Sequence, residues 1–527
     1  MDDLPKPESF LRRHGLALAL VAVCLVPYLP SAAYPFVNWD DPEHVYRNPA
    51  LQDGRPLAER LYPRHLGYPM PLTMLSYQLE HWLLGSKPLA WSDGALFHCT
   101  NLVLFFGILL AAYRLLLRIV SPQLAVLVLA LFATHPLLVE PVCWVTGRKD
   151  LLATLFVLLA TDAFVGLLRG GRWPSLVGAL LAGLAALASK PSGALLLLLW
   201  PALYWIERRR ERTAPLGLAR PLAVWLTITA GSIAVIAIGY LGNKAVGGVA
   251  SAPSVLDVLR RAWWALGFHC RLWLLPVDLR ARYMVSPSGL DGYDVLAALV
   301  VAALCWVFWR RRTLSAPLSW AVALFVAAYA PVANLLPLTR YLADSYMLLP
   351  SLALALALAL LLRRLLASVG PVRMISALFV VGLLALYLLI GTDQRRVWAS
   401  SQALWLQTMR HHPTSPNACR MLGHAFNEQQ LPLRAARVYL RCVRLFGSED
   451  FANNLAISYL LAGQQDEARR WFLEVLRHRP NDRRALKYLR QLGPAGRIKP
   501  AAPASSERTP VAPAGDAGGQ SARGAER

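Results

Sequence analysis

Phe36-Val37-Asn38-Trp39-Asp40-Asp41-Pro42 follows directly on the apolar run Leu16 to Pro30. Two adjacent carboxylates are thereby held at the end of a hydrophobic segment that carries a basic flank, Arg12-Arg13, but no small-residue cleavage site. The run reads as a retained anchor and not as a removed leader, so the acid pair sits at the water's edge of a membrane. Further along, runs of roughly 16 to 24 apolar residues recur between short basic clusters. The 527-residue chain is 56% hydrophobic and 16% charged, which fits a polytopic membrane protein of all-α class and is too little charge for a soluble surface of this size.

The net charge of +23 does not point to nucleic acid. Its arginines gather at span ends (Arg114 and Arg118, Arg169 and Arg172, Arg208 to Arg212, Arg310 to Arg312, Arg363-Arg364), where the positive-inside rule places them. Orienting the apolar runs by these clusters predicts a cytosolic N-terminus (1–14), a first span near 15–33 and an external loop over 34–93. Spans near 95–118, 122–141, 151–168, 174–189, 192–206 and 220–241 follow, with the connections at 142–150 and at Lys190-Pro191 outside. The stretch 255–276 reads as re-entrant or interfacial. Spans near 294–309, 316–335, 347–366 and 372–391 bring the total to about 11 and leave the C-terminal region outside. Within the first loop, Leu72 to Leu84 is amphipathic with aromatic members and suits the membrane interface.

From about residue 398 the composition turns amphipathic and polar, and residues repeat at an offset of 33. Leu422, Gly423, Phe426, Ala435, Tyr439 and Cys442 recur as Leu455, Ala456, Tyr459, Ala468, Phe472 and Val475. This spacing matches tetratricopeptide helix pairs over 393–493, with one helix carrying both Trp398 and Trp405 as a cap. Stacked pairs of this kind hold an extended peptide or a partner protein. Their many arginines suit an acidic partner, the membrane surface or plain solvation. Residues 494–527 are rich in Pro, Ala, Gly and Ser and are expected to be disordered. Seven cysteines without ligand spacing suggest neither a metal cluster nor a disulfide framework.

Several further stretches accompany the acid pair. They are Asn48, Tyr68-Pro69-Met70-Pro71-Leu72-Thr73, Phe97-His98 with Asn101, the long segment His135-Pro136-Leu137-Leu138-Val139-Glu140-Pro141-Val142-Cys143-Trp144-Val145-Thr146-Gly147-Arg148-Lys149-Asp150, and Ala188-Ser189-Lys190-Pro191. Together with Asn38-Trp39-Asp40-Asp41 and the terminal repeats, the chain resembles the transmembrane and tetratricopeptide-repeat O-mannosyltransferases and their bacterial relatives, glycosyltransferases of the GT-C fold. The resemblance implies transfer of a sugar, mannose in that family, from a polyprenyl-phosphate carrier to a protein or glycan hydroxyl on the outer face, with inversion. It also implies a bacterial inner membrane as the setting, and it leaves a metal requirement open. One departure stands out. Where that family has an acidic residue followed by arginine, this chain has Asp344-Ser345, with Arg340 five residues earlier.

A single displacement at the anomeric carbon needs a base for the acceptor hydroxyl and cations for the departing phosphate. Asp40 and Asp41 are the candidate bases, Asp40 first, against the alternative that one of them caps a short helix starting at Pro42. Arg148 and Lys149 are candidate phosphate ligands, Glu140 their orienting acid, and Asp150, Lys190, His98 and Arg340 further substrate-binding candidates. His135 is expected to be a satisfied interface residue. Two other functions remain in view: a non-catalytic membrane scaffold whose repeats bind partners, favoured by the loss of arginine at Ser345, and a lipid-linked sugar transporter.

Overall fold

The computed structural model describes residues 7–51, 55–210, 219–245, 254–284, 287, 289–310, 315–336, 338 and 340–493. The expected disordered tail, 494–527, lies outside them, as do residues 1–6 of the N-terminal segment. The described residues are helical, with no strand among them. In chain order the α-helices are α1 (Pro7–Val23), α2 (Leu57–Leu61), α3 (Pro71–Leu83), α4 (Ala95–Leu116), α5 (Pro122–Thr134), α6 (Val139–Cys143), α7 (Arg148–Leu168), α8 (Trp173–Ser189), α9 (Leu196–Arg210), α10 (Ala219–Ala245) and α11 (Val255–Leu274). They continue as α12 (Gly292–Trp309), α13 (Ala316–Tyr329), α14 (Leu348–Leu366), α15 (Pro371–Trp398), α16 (Ser401–His411), α17 (Pro416–Glu428), α18 (Pro432–Phe446), α19 (Ala452–Leu461), α20 (Gln465–His478) and α21 (Arg483–Gln491).

Five stretches are long and apolar enough to cross a membrane: Ala95–Leu116, Val145–Leu168, Ala219–Gly239, Asp344–Leu366 and Pro371–Trp398. A sixth is formed if Pro122–Thr134 and Pro136–Cys143, bent by 62°, count as one. The protein is therefore a helical membrane protein. Each of the eleven expected spans has helix at its place, but Trp173–Ser189, Gly292–Val307 and Ala316–Val332 are shorter apolar helices. The first span is split into α1 and a 3-10 stretch, Val26–Ala33. Proline explains several of the interruptions, because it removes an N–H and disfavours helix in the residue before it. At the 62° bend His135 is extended before Pro136, and its Nδ1 accepts the Leu137 N–H (3.3 Å) that the broken helix leaves free.

The bend is closed on its far side by Gly147. A Cβ there would lie 2.5 Å from the Pro141 carbonyl oxygen, so only glycine lets the chain fold back onto itself. The segment 139–147 consequently forms a compact corner that delivers Glu140 and Trp144 to one side and starts α7 at Arg148. Helix α3 packs on α8, α4 and α7. It buries Thr73, Met74, Tyr77, Gln78, Glu80 and His81 and leaves Leu75, Leu79 and Trp82 outward, so the expected amphipathic segment is a helix with an apolar outer face.

The chain divides into two compact units, Met1–Phe446 and Gly447–Arg527. The division falls within 393–493, the region where the repeats are expected. Trp398 ends α15 and Trp405 belongs to α16, so the expected single capping helix is two helices broken at Ser400, whose side chain caps α16. In the first unit α16, α17 and α18 pack in succession. Gly423 is required there, because a Cβ would meet the Tyr439 ring at 2.3 Å. The expectation of no disulfide is corrected at one place: Cys419 of α17 and Cys442 of α18 are bonded, with 6.0 Å between their Cα atoms. In the second unit, α19, α20 and α21 share a core of Ala452, Ala456, Ala468, Phe472, Val475 and Ala485.

Candidate functional site

The Phe36–Pro42 loop is anchored from three directions. Phe36 donates its N–H to Trp91 O (2.9 Å) and packs its ring on Tyr46 and Phe97 in a cluster with Met70, Met74, Tyr77 and Val145. Asn38 is held by the C-terminal helices: its N–H donates to Ser401 Oγ (2.9 Å), its Nδ2 to Met421 O (3.0 Å), and its Oδ1 accepts from Trp405 Nε1 (2.6 Å). Farther along, Tyr46 Oη donates to Glu428 (3.2 Å) and Arg47 pairs with it (2.9 Å). The loop is therefore seated between the membrane helices and helices α16 and α17.

The two aspartates have different fates. Asp41 is fully buried. It accepts the Val37 N–H (2.9 Å), the Thr146 N–H (3.1 Å) and the Thr146 hydroxyl (2.5 Å). A short helix does start at Pro42, but neither acid caps it through its side chain. Burial pushes the Asp41 carboxyl up to about 7, against the lowering effect of those hydrogen bonds. Asp40 instead keeps 37% of its side chain exposed and pairs with Lys149 Nζ at 3.8 Å. Its main chain is fixed: Asp40 O accepts from both the N–H and the Nδ1 of His44 (3.0 Å each). Burial, with Lys149 nearby, lowers His44 to about 3, so that ring stays neutral.

Around Asp40 a chain of cations and aromatic faces is assembled from separate segments. Lys149 Nζ lies 5.2 Å from the Trp144 ring centre, and the Arg340 guanidinium carbon lies 5.8 Å from the same ring and 5.5 Å from that of Trp39. Arg340 donates to Glu140 Oε1 (2.8 Å) and to Ala281 O (2.7 Å), and Ser345 Oγ donates to the same Glu140 oxygen (3.0 Å). The other Glu140 oxygen is buried with no partner among the described residues. Tyr346 Oη donates to Arg340 O (2.7 Å), and Lys190 Nζ sits 6.0 Å from the Tyr346 ring while pairing with Asp150 (2.5 Å).

Of the sequence candidates, Asp40, Lys149, Glu140 and Arg340 are thus brought together, and Lys190 with Asp150 flanks them. Glu140 orients Arg340 and Ser345, not Arg148 and Lys149. Arg148 and His98 are placed elsewhere. Arg148 is 0% exposed, paired with Glu80, and donates to Asn101 Oδ1 (3.0 Å) and Phe97 O (2.7 Å), with its guanidinium over the Tyr77 ring at 4.7 Å. Its donors are occupied, so the phosphate-ligand expectation does not fit it. His98 is buried, 3.4 Å from Pro35 O and edge-on to Tyr34, apart from the polar group. His135 donates to Trp273 O (3.0 Å) and stacks on that ring, satisfied as expected.

Arg282 was missed by sequence reasoning. Its neighbours are both tied into the site, Ala281 O to Arg340 and Tyr283 Oη to Asp344 (2.5 Å), yet Arg282 itself forms no ion pair or hydrogen bond among the described residues. It is partly buried, and burial together with the nearby Arg340 charge lowers its pKa. Arg340 has its counter-charge in Glu140, whereas Arg282 adds a second positive charge beside it, which suits an anionic group. The sequence signal was the doublet Arg280 and Arg282 just before Tyr283. No group of three or more His, Cys, Asp or Glu side chains placed to hold a metal ion occurs among the described residues.

Comparison with known proteins agrees with the resemblance. No protein-family model matches the chain. The chain is 32% identical over 190 residues to protein O-mannosyl-transferase Tmtc1 of Drosophila melanogaster, covering 34% of this chain and 21% of that protein. It is 29% identical over 199 residues to protein O-mannosyl-transferase TMTC4 of Homo sapiens (33% and 25%), and 33% identical over 156 residues to TMTC3 of Mus musculus (28% and 16%). The matched stretch thus spans a quarter or less of the length of each of these relatives.

Proposed function

We propose that the chain is a membrane glycosyltransferase that moves a sugar from a polyprenyl-phosphate carrier to an acceptor hydroxyl on the non-cytosolic face, inverting the anomeric carbon. The observation that carries this reading is Asp40: a carboxylate with free bonding capacity, rigidly held, beside Lys149 and the Arg340–Glu140 pair. The printed name of the relatives, protein O-mannosyl-transferase, supports mannose as the sugar and a protein as the acceptor.

In the proposed step the acceptor oxygen attacks the anomeric carbon from the face opposite the phosphate. Asp40 takes the hydroxyl proton as the new C–O bond forms, and the bond from carbon to phosphate oxygen breaks with its electron pair leaving on the phosphate. That group is already acidic, so it needs cations and not a general acid. Lys149, Arg340 and Arg282 are the cations for it, with Lys190 at the periphery. Asp41 keeps the backbone of Asp40 in register through Val37 and Thr146. Arg340 supports the enzyme reading over a scaffold, since it and Ser345 share one Glu140 oxygen and a guanidinium is supplied despite the serine.

The Cys419–Cys442 bond supports the outward orientation. Disulfides persist in oxidising compartments, and α16 and α17 touch the Asn38 loop directly, so the site faces the same side. The test is to incubate purified protein with a panel of radiolabelled polyprenyl-phosphate sugars, beside Asp40→Asn. Consumption of one donor by wild type and none by the variant is expected. No consumption of any donor, or equal transfer by Asp40→Asn, overturns the assignment.

A further inference from the structure

Helix α18, Pro432–Phe446, reads PLRAARVYLRCVRLF and contains no acid. Its four arginines fall at 434, 437, 441 and 444, a spacing of three and four residues. At 100° per residue they share an arc of about 80°. Ala435, Ala436, Tyr439 and Cys442, the buried positions, lie on the opposite side of the helix. All four arginines are exposed, and none forms an ion pair or hydrogen bond through its side chain among the described residues. Leu433 and Leu445, 46% and 51% exposed, stand near the two ends of the row. In the second unit three arginines do have acidic partners: Arg470 pairs with Glu467, Arg477 with Glu474, and Arg479 with Glu449 and Asp450.

Like charges at these spacings repel and destabilise a helix. The row is nevertheless built on a helix pinned by the Cys419–Cys442 bond to α17, which in turn touches the Asp40 loop through Met421 and Glu428. The apolar face of α18 is occupied by α17, so the helix cannot lay that face into a bilayer as basic interfacial helices do. What remains outward is a straight row of guanidinium groups about 15 Å long. An extended polypeptide places every second side chain on one face at intervals of about 6.5 Å. The arginines rise by about 4.5 to 6 Å per step, so carboxylates on alternate residues of such a segment meet them nearly one to one.

We propose that the arginine row of α18 is a docking surface for an acidic, extended polypeptide segment, which it holds at a fixed distance from Asp40. That this segment belongs to the acceptor protein rests on the function proposed above; the binding itself does not. The experiment uses the full chain in nanodiscs of zwitterionic lipid and a fluorescent decapeptide of alternating Glu and Ser, with the Gln version of the peptide as control. Wild type should bind the Glu peptide and not the Gln peptide, more weakly as salt rises. The pair Arg437→Glu and Arg441→Glu should weaken binding at least tenfold, Arg437→Gln with Arg441→Gln less, and Arg470→Glu, which alters a paired arginine, by under twofold. Equal binding by wild type and the double variant, or loss of binding only on exchange to anionic lipid in wild type and double variant alike, overturns the proposal. Peptide binding by a protein that transfers no sugar leaves the docking surface standing and removes the enzyme reading.

Discussion

Two pairs of consecutive residues divide this molecule into a sealed half and an open half. Asp41 and Arg148 face inward, one taking three hydrogen bonds from Val37 and Thr146, the other closed over by Glu80, Asn101, Phe97 and Tyr77. Asp40 and Lys149, each one position away, face each other at 3.8 Å. Side chains on successive helical residues diverge by about 100°, so one turn of backbone can brace a site with one residue and furnish it with the next. Charge and motif membership are equal within each pair. What separates the members is whether their bonding capacity is already used.

That contrast can be broken by substitution. Asp40→Asn should lower turnover by about 10² to 10⁴, the worth of a positioned base, with the unfolding temperature unchanged. Arg148→Ala should act the other way, leaving Glu80 buried and unpaired at about 3–5 kcal/mol. Thermal unfolding in detergent would show it, and Arg148→Met with Glu80→Met should recover most of the loss. If Arg148→Ala unfolded normally but bound donor poorly, the two halves would have been assigned wrongly. Lys149→Ala should weaken binding of a short prenyl phosphate about tenfold, or roughly 1.4 kcal/mol, as read by calorimetry.

The smallest effect concerns Asp41. Its folded pKa of about 7 lies above the ordinary 3.8, so the folded state holds a proton that the unfolded state has released. Its contribution to stability is complete below about 4 and is lost as pH rises through about 7. Asp41→Asn removes this dependence. The unfolding temperature of wild type relative to the variant should fall between pH 4 and 8, and a flat difference would place the titration elsewhere.

Much of the architecture was legible because hydrocarbon thickness sets a length that apolar runs must meet, and Ala95–Leu116 or Pro371–Trp398 meet it plainly. Lys149, Glu140 and Asp40 were legible as a set because uncommon polar residues recur at span ends. The partner of Arg148 was not, since Glu80 lies 68 residues away on a helix whose apolar face dominates its pattern. Nor was the seat of Asn38 on Trp405, 367 residues distant. The disulfide did have a signal: a shift of 33 residues maps Cys419 and Cys442 onto Ala452 and Val475, both core positions of the next helix pair. Two cysteines at packed positions of one helical hairpin face each other.

The seating of Asn38 also orders the birth of the protein. Its loop is among the first segments to be synthesised, whereas Ser401, Trp405 and Met421, which grip it, come 363 to 383 residues later. At about 5–20 residues per second the ribosome needs roughly 20 to 75 s to supply them. For that interval the loop has no floor, and Asp40 lacks the support of Asn38 while the later segments are still being inserted. A chain truncated before residue 401 would stay in that unfinished condition.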